Sequence, residues 1–239
     1  MKLQDKKFFV VIPTYNEADN IKFLIENLLT LYPFLHILVV DDNSPDGTYK
    51  IVKEIANEKK NVHLLHRLKE KGRGTAGRDG FIKALELGAD YIIEMDADFS
   101  HDPIYIEKFI ENAAEDTVII GSRLIKGGKE IGRNIIRTII TFFANLYIRV
   151  LLNLPVKDCT SGYRLFPSKI LKRIPLGKFK SKGPEIVQEL LYHCKKQKAR
   201  FLEIPIVFRD RRAGKSTFNL KIMFRSLWFV FYLRFFYKL

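Results

Sequence analysis

The chain has 239 residues, of which 47% are hydrophobic and 28% are charged. This length supports one large globular domain or at most two small ones, and the composition excludes collagen, coiled-coil and wholly disordered proteins. Two cysteines, Cys159 and Cys194, are too few for a disulfide framework, so we expect a reducing cytoplasmic setting with both thiols as packing residues.

The net charge of +14 is divided unevenly along the chain. Residues 1–120 contain 15 Lys and Arg against 21 Asp and Glu, a net charge of −6, whereas residues 121–239 contain 26 against 6, a net charge of +20. This division predicts one half that supplies carboxylates and one half that binds anions such as phosphates. A nucleic-acid-binding protein is an alternative, but the aromatic residues of the basic half lie within apolar helices instead of alternating with cations on a sheet.

Short β-rich runs recur at nearly even intervals in the acidic half, with helical patterns between them. An amphipathic helix follows the first run, with Asp19 or Asn20 as its cap and apolar residues repeating at helical spacing from Ile21. Two more helices are predicted at Thr48–Ala56 and Thr75–Leu87. Because nearly continuous apolar strands alternate with helices, we expect an α/β fold with a mostly parallel sheet covered on both faces. The predicted strands are Phe8–Ile12, Ile37–Val40, Val62–Leu65, Tyr91–Met95 and Thr117–Ile120.

Acidic residues follow three of these strands. Ligands bind beyond the carboxyl ends of such sheets, so we expect Glu17, Asp41–Asp42 and Asp96–Asp98 to share one edge. Crowded carboxylates repel one another unless a cation lies among them or some of them are protonated, and they suit Mg²⁺ or Mn²⁺. A turn that contains two aspartates by chance would explain Asp96–Asp98 alone, but the second acidic pair argues against it. For His101 we favour a cap or a hydrogen-bonding role over a metal ligand.

The stretch Lys71–Gly77 is rich in glycine and precedes a predicted helix, as phosphate-binding loops do. It matches neither the Walker A motif nor a complete dinucleotide-binding fingerprint. A kinase or a nucleoside triphosphatase is therefore disfavoured.

The basic half contains two apolar segments that carry regularly spaced cations. In residues 134–154 a polar stripe recurs every four positions, from Arg133 to Arg149, which favours a helix in the membrane interface over a spanning helix. The segment Ile222–Leu239 has eight aromatic residues among its 18, which is typical of the headgroup boundary of a bilayer. The alternatives are a soluble surface helix for the first segment, and a truncated transmembrane domain or a dimer face for the second.

A predicted strand, Phe201–Phe208, leads into the basic loop Arg209–Ser216. Arginines on this loop could clamp a diphosphate through bidentate contacts, and a solvated charged loop is the alternative. Between the two apolar segments, Asp158–Phe166 is interpreted as a turn that carries one arginine.

The order of the motifs along the chain is more specific than any single motif. They are VIPTYNE at 11–17, DDNSPDGT at 41–48, DADFSHDP at 96–103, GSR at 121–123 and SGYRLF at 161–166. In this order they resemble family 2 glycosyltransferases, and more narrowly polyprenyl- or dolichyl-phosphate mannose synthases. The resemblance covers about residues 8–217.

The resemblance implies a GT-A fold, with a catalytic domain over residues 1–217 that includes the interfacial helix at about 134–154, and a membrane-interface helix over 218–239. It implies inverting, metal-dependent transfer of mannose from GDP-mannose to dolichyl or another polyprenyl phosphate, with Mg²⁺ or Mn²⁺ as cofactor. The enzyme would be peripheral at the cytoplasmic face of a membrane and would have no nucleic-acid partner. A UDP-glucose-dependent glucosyltransferase is the alternative, since no residue here distinguishes the donors.

The resemblance also assigns roles to individual residues. The implied catalytic residues are Asp96, Asp98 and Arg211. The implied metal ligands are Asp96 and Asp98, with Ser100 as a further contact. The implied acceptor-phosphate contacts are Arg123, Arg137 and Thr141. The implied contacts to the nucleotide-sugar donor are Pro13, Tyr15, Glu17, Asp42, Asp96, Ala97, Asp98, Lys182 and Arg211.

Two positions depart from the pattern of this family. Thr217 stands where a lysine is expected after the basic loop, and Arg73 replaces an apolar residue of the glycine-rich stretch. A processive polysaccharide synthase is less well supported, because Gln197–Phe201 has phenylalanine in place of the tryptophan of that enzyme's signature. A membrane adaptor without catalytic activity is the remaining alternative.

Overall fold

The computed structural model describes residues 5–69, 71–132, 134–209 and 220–237. Within these ranges the strands are β1 (Phe8–Thr14), β2 (His36–Asp41), β3 (Val62–His66), β4 (Tyr91–Glu94), β5 (Thr117–Ser122), β6 (Lys129–Ile131), β7 (Arg164–Pro167), β8 (Arg200–Pro205) and β9 (Val207–Arg209). The helices are α1 (Ala18–Leu31), α2 (Thr48–Glu58), α3 (Arg73–Glu86), α4 (Ile106–Glu111), α5 (Ile135–Leu152), α6 (Ser168–Leu171), α7 (Ile186–Lys196) and α8 (Leu220–Phe235).

The main sheet has the strand order β3-β2-β1-β4-β7-β5-β8. Its neighbouring strands are parallel except for β7, which runs antiparallel to both β4 and β5. Strands β6 and β9 form a separate, parallel pair. The predicted mostly parallel sheet is confirmed. Its strand order reverses at β1 and β4, which is where ligands bind in sheets of this kind.

Helices cover both faces of the sheet, as the apolar strands predict. Successive residues of a strand point to opposite faces, so Phe9 and Val11 pack with α3, α5, α7 and α8, whereas Phe8 and Val10 pack with α1, α2 and α4. Cys159 and Cys194 lie in the first of these cores, and burial raises the pKa of each thiol to about 12. The prediction that both cysteines are packing residues is confirmed.

Helix α3 approaches the sheet closely at Gly80. A Cβ atom added there would lie 2.5 Å from Cγ1 of Val11 and 2.9 Å from Cγ2 of Val40. The missing side chain therefore permits this packing. Because α3 follows β3, its first residue, Arg73, lies at the carboxyl edge of the sheet.

The prediction for the start of the first helix is wrong. Helix α1 begins at Ala18 after Glu17, and Asp19 and Asn20 lie inside its first turn instead of capping it. The helix starts from Glu17, because the backbone N–H groups of Asn20 and Ile21 donate to the Glu17 carbonyl oxygen at 3.0 and 2.9 Å, and the side-chain amide of Asn20 also donates to Glu17 Oε2 at 2.9 Å.

Two predictions in the basic half are also wrong. Residues Phe201–Phe208 do not form one strand, because β8 pairs with β5 and the chain then turns so that β9 pairs with β6. The end of the segment Asp158–Phe166 is not a turn but the start of β7, in the middle of the sheet. Arg164 can be buried there because its guanidinium donates to the carbonyl oxygens of Val187 and Cys159.

Candidate active site

Three loops leave the carboxyl edge of the sheet, and each contains a residue with left-handed backbone geometry. Asn16 follows β1 with φ 60°, Asn43 follows β2 with φ 53°, and Phe99 follows β4 with φ 59°. The loop after β2 is held by Asp41, whose carboxylate accepts hydrogen bonds from Thr14 Oγ1 at 3.0 Å and from the Ser44 N–H at 2.9 Å. Asp41 is fully buried and shapes the loop from inside.

Asp42 lies beside Asp41, and its carboxylate is bound from two directions. One oxygen pairs with Nη1 of Arg67, and the other accepts the Gly72 N–H at 2.7 Å. Burial raises the pKa of Asp42, and the neighbouring Arg67 and the Gly72 N–H oppose this rise. The carboxylate therefore links the loop after β2 to the start of α3.

The other residues predicted to contact the nucleotide-sugar donor lie around this link between the loop after β2 and the start of α3. Tyr15 is exposed beyond β1, with the Lys71 ammonium 5.6 Å from its ring centroid. Glu17 donates its N–H to Thr48 Oγ1, at the start of α2. The carbonyl oxygen of Lys182 accepts the Gly74 N–H at 3.1 Å, so Lys182 lies next to the glycine-rich stretch, with its side chain exposed. Pro13 is partly buried within β1.

Asp96 follows β4 and carries an ion pair. Its Oδ1 lies 2.9 Å from Nη2 of Arg73, whose Nη1 lies 3.3 Å from Oε1 of the buried Glu94. Burial alone would lower the pKa of Arg73, but the two carboxylates outweigh it and raise that pKa. Burial raises the pKa of Glu94, and the charges of Arg73 and Arg164 oppose this rise. A protein cation thus lies among the carboxylates that the sequence crowds at this edge.

His101 supports the loop after β4. Its Nδ1 accepts the backbone N–H of Asp96 at 3.0 Å, and its ring stacks on Tyr163 with centroids 4.9 Å apart. Burial lowers the pKa of His101, so the imidazole is neutral near neutral pH. The predicted hydrogen-bonding role is confirmed.

The same loop buries Ala97, Asp98 and Ser100. Asp98 Oδ1 accepts the Ser100 N–H at 3.1 Å. In the part of the chain that the structure describes, no three His, Cys, Asp or Glu side chains are grouped so that they could hold a metal by themselves. Two carboxylates and a hydroxyl nevertheless fit a hard divalent cation that takes its remaining ligands from a diphosphate and water. The Arg73 guanidinium on Asp96 shows that this edge accommodates positive charge.

Arg123 follows β5 and pairs with two carboxylates, those of Asp158 and Glu130. Its Nε and Nη2 donate to Asp158 at 2.8 and 2.7 Å, Nη2 also reaches Thr160 Oγ1 at 2.7 Å, and Nη1 lies 3.2 Å from Glu130 Oε1. Burial would raise the pKa of Asp158, but the charge and hydrogen bonds of Arg123 outweigh it and lower that pKa to about 2. Arg123 is held in one orientation.

The polar stripe of α5 faces this network. Asn145 donates to the carbonyl oxygen of Thr141 and to Thr160 Oγ1, and accepts the Cys159 N–H at 2.6 Å. Thr141 and Asn145 are buried, as are Ile148 and Leu152, while many large apolar residues of the helix are exposed. Arg137 is partly buried one turn before Thr141. Helix α5 therefore buries Thr141 and Asn145 and exposes much of its apolar surface, unlike a helix on a soluble protein, while Arg149 near its end is exposed.

A pocket of about 260 Å³ is lined both by residues of the carboxylate edge and by residues of the Arg123 network. It brings together the predicted residues Asp96, Arg123 and Thr141, with Arg73 and Gln188 beside them. Its remaining walls come mainly from α5, α7 and α8 and are largely apolar. Arg137 does not line it, and the predicted nucleoside contacts lie at the neighbouring loops. The lining residues not yet named are Ile140, Ala144, Ile148, Thr160, Gly162, Pro184, Val187, Ile222, Met223, Ser226 and Leu227.

Sequence reasoning missed several residues of this site. Arg67 binds Asp42, and Asp158 orients Arg123, yet neither was singled out. Gln188 is buried in the pocket wall, and its Oε1 has no hydrogen-bond partner among the described residues. The signal available for Asp158 was its place just before the SGYRLF motif, but Arg67 and Gln188 have no motif of their own. Arg133, Arg211 and Thr217 lie outside the described residues.

Residues 9–175 match the sequence profile of Glycosyl transferase family 2. The chain belongs to this family. The predicted resemblance and the predicted enzyme class, a glycosyltransferase, are therefore confirmed.

Curated relatives extend the match over most of the chain. It is 36% identical over 210 residues to undecaprenyl-phosphate mannosyltransferase of Micrococcus luteus, covering 88% of this chain and 86% of that protein. It is 36% identical over 214 residues to polyprenol monophosphomannose synthase of Mycolicibacterium smegmatis, covering 88% and 80%. It is 34% identical over 238 residues to dolichol-phosphate mannosyltransferase of Pyrococcus furiosus, where it covers 98% of this chain but only 63% of the longer relative.

Solved structures agree with the fold. Glucosyl-3-phosphoglycerate synthase from Mycobacterium tuberculosis, crystallised with Mn²⁺, UDP and phosphoglyceric acid, superposes with a TM-score of 0.71 over 97% of this chain and 79% of that one. The same enzyme with Mg²⁺ and UDP gives a TM-score of 0.70 over 97% and 80%. The sequence identities are 17% and 16%, so this likeness concerns the fold. The predicted GT-A fold is confirmed.

Proposed function

We propose that this family 2 glycosyltransferase transfers mannose from GDP-mannose to dolichyl or another polyprenyl phosphate, releasing GDP. The named activities of the three curated relatives support mannose and a polyprenyl phosphate. GDP is proposed because it is the nucleotide that the resemblance to mannose synthases implies.

The observation that carries this proposal is the composition of the pocket. Its charged lining residues are Asp96, Arg73 and Arg123, and the lining residues from α5 and α8 are mainly apolar. A phosphate on a long hydrocarbon chain matches both kinds of lining, because guanidinium groups bind phosphate oxygens and apolar walls bind the chain. A nucleic acid would match the cations but not the apolar walls.

Helices α5 and α8 continue this apolar character onto the outside of the protein. They pack against each other, with Tyr147 donating its hydroxyl to the Leu227 carbonyl oxygen at 3.2 Å. Among the described residues one helix, α5, is long and apolar enough to cross a membrane, with a mean hydropathy of 1.7 and only 22% of its residues buried. We propose that α5 and α8 lie in the membrane interface at the cytoplasmic face, because Arg137 and Arg149 make spanning costly. The exposed apolar residues are Ile135, Ile136, Ile139, Phe142, Phe143, Leu146, Tyr147, Val150, Phe224, Trp228, Phe235 and Phe236.

The proposed chemistry is a single in-line displacement that inverts the anomeric carbon. A phosphate monoester has a second pKa of about 6 and is mostly dianionic near neutral pH, so it attacks without a protein general base. Arg123, oriented by Asp158, would hold this anion with Arg137 and Thr141, offsetting its repulsion from the anionic donor.

Asp96, Asp98 and Ser100 are the residues we propose to hold Mg²⁺ or Mn²⁺. When bound, such an ion neutralises charge on the departing diphosphate. Pro13, Tyr15, Glu17, Asp42, Ala97 and Lys182 would hold the rest of the donor, together with Arg211.

The decisive experiment incubates the protein with radiolabelled GDP-mannose or UDP-glucose and a polyprenyl phosphate, and measures label in the lipid-soluble fraction. We expect transfer from GDP-mannose. Transfer only from UDP-glucose would replace the proposed donor, and no lipid-soluble label from either donor would contradict the reaction itself.

Two variants, each with a matched control, test which residues act on the donor and which bind the acceptor. Asp98→Asn should abolish metal-dependent transfer, whereas Asp116→Asn removes the same charge from an exposed surface ion pair and should not. Arg137→Ala should weaken use of the lipid phosphate, whereas Arg149→Ala, an exposed arginine three turns further along α5, should leave it unchanged. Equal loss of donor binding in the Asp98 and Arg137 variants would contradict the division into donor and acceptor sides.

A further inference from the structure

Arg73 and the proposed metal compete for the same carboxylate. The guanidinium Nη2 lies 2.9 Å from Asp96 Oδ1, and Asp96 is one of the two carboxylates proposed to bind the divalent cation. Two cations on one carboxylate repel each other, so occupation by one weakens binding of the other.

The position of the guanidinium is fixed by several independent contacts. The backbone of α3 is anchored at its start, where the Gly72 N–H donates to Asp42 and the Gly74 N–H donates to the Lys182 carbonyl oxygen. Glu94, buried on β4, holds the second guanidinium nitrogen, Nη1, at 3.3 Å. The pair is therefore built into the site and is not a chance surface contact.

Gly162 supplies the space for the guanidinium. A Cβ atom at this position would lie 2.8 Å from Arg73 Nη2, 3.5 Å from His101 Cε1 and 3.8 Å from Asp96 Oδ1. Gly162, Arg73, Asp96 and Arg123 all line the pocket, and the missing side chain of Gly162 leaves the room in which the guanidinium reaches Asp96.

We propose that Arg73 makes cation binding depend on the nucleotide. In the free protein the guanidinium holds Asp96 and keeps the affinity for a divalent cation low. A nucleoside diphosphate brings negative charge that offsets Arg73 and supplies further oxygen ligands, so the cation binds tightly only together with the nucleotide. This inference rests on the proposed metal site at Asp96 and Asp98.

The test measures Mn²⁺ binding by electron paramagnetic resonance, with and without GDP, and needs no turnover. In the absence of GDP, Arg73→Met should bind Mn²⁺ about tenfold more tightly than the native protein, the size of effect that one nearby charge has on proton binding by a carboxylate. Arg73→Lys keeps the charge and should restore weak binding. The gain in Mn²⁺ affinity on adding GDP should be about tenfold smaller in Arg73→Met than in the native protein.

Two further variants keep the result interpretable. Arg73→Met leaves the buried carboxylate of Glu94 without this partner, which should destabilise the fold. The double variant Arg73→Met/Glu94→Gln removes that unpaired charge as well, and it should show the same tighter Mn²⁺ binding. Lys83→Met removes one charge from the same helix, where Lys83 pairs with Glu86 at the surface, and should bind Mn²⁺ like the native protein.

The outcomes separate this inference from the proposed function. If Arg73→Met and the native protein bind Mn²⁺ equally without GDP, competition by Arg73 is wrong, while sugar transfer to the lipid still tests the reaction. If no form binds Mn²⁺ even with GDP, the metal site at Asp96 is wrong, and the inference is overturned with it.

Discussion

Glu130 lies against the edge of the Arg123 guanidinium that Asp158 leaves uncovered. Its Oε1 is 3.2 Å from Nη1, and both side chains are 7% exposed. The second carboxylate oxygen of Glu130 accepts the hydroxyl of Thr138, on α5, at 3.3 Å. A carboxylate therefore occupies an edge of Arg123 that the proposed acceptor phosphate would need for its own oxygens.

Replacing Glu130 by glutamine should improve binding of the acceptor. The neutral amide competes less strongly for Nη1, so the KM for the lipid phosphate should fall about threefold to tenfold, which corresponds to about 1 kcal/mol. The KM for the donor should not change. Glu107→Gln, an exposed glutamate on α4, is the control. A KM for the lipid phosphate that is unchanged or raised in Glu130→Gln would show that Glu130 does not compete with the acceptor.

Replacing Asp158 by asparagine should destabilise the fold in a way that depends on pH. Near neutral pH it leaves Arg123 buried with its main partner gone, which should cost about 3 kcal/mol of unfolding free energy. The pKa of Asp158 is about 2 in the folded protein, below the value of about 3.9 for an unfolded chain. The ion pair therefore stabilises the fold fully above about pH 4 and is lost as the pH falls towards 2.

Urea unfolding of both proteins at several pH values checks this prediction. The difference in unfolding free energy between the native protein and Asp158→Asn should be largest near neutral pH and should shrink below about pH 4. A difference that stays constant down to the folded-state pKa would mean that the charge of Asp158 is not what stabilises the fold.

Replacing Gly80 by alanine should destabilise the contact between α3 and the sheet. The new methyl group would lie 2.5 Å from Val11 Cγ1 and 2.9 Å from Val40 Cγ2, and valine side chains have little freedom to move away. We expect a loss of about 1–3 kcal/mol in thermal or urea unfolding. Gly177→Ala, where no atom lies within 4 Å of the added carbon, should change stability by less than about 0.5 kcal/mol. Equal effects of both changes would contradict the close packing at Gly80.

The parallel part of the fold could be predicted because its signals are local. Several parallel strands contain an unbroken apolar run followed by a polar loop, as in Phe8–Ile12 and Ile37–Val40, whereas Glu203 interrupts β8. Strand β7 could not be predicted, because Arg164 interrupts the apolar pattern and is tolerated only where the carbonyl oxygens of Val187, on α7, and of Cys159 accept hydrogen bonds from its guanidinium. Contacts of this kind depend on the tertiary structure and leave no pattern in the sequence.

The site was predictable to a similar extent. The sequence predicted Asp42 and Asp96 at one edge, with either a cation among the carboxylates or some of them protonated. It could not show that Arg67, which precedes α3, and Arg73, on α3, supply positive charge there. It also assigned Arg123 to the acceptor without Asp158, which orients it. Ion pairs between residues 21 to 35 positions apart follow from how the strands pair, so spacing along the chain does not reveal them.

The single tryptophan of the chain reports directly on the proposed membrane surface. Trp228 is 65% exposed on α8, within the apolar surface that α8 forms with α5. On addition of phosphatidylcholine and phosphatidylglycerol vesicles, its fluorescence should shift to shorter wavelength, because the indole leaves water for the interface. Lipids with brominated acyl chains should quench it. Emission that stays unchanged while the protein sediments with the vesicles would mean that another surface binds the membrane.

A matched pair of phenylalanines tests the same surface without changing the reporter. Phe224 on α8 and Phe23 on α1 are each 64% exposed, but only Phe224 lies within the proposed interface. Since moving a phenylalanine side chain fully out of water is worth about 1.5–3 kcal/mol, Phe224→Ser should weaken vesicle binding about tenfold. Phe23→Ser should leave it unchanged. Equal losses in the two variants would show that general surface hydrophobicity, and not the α5–α8 surface, drives the binding.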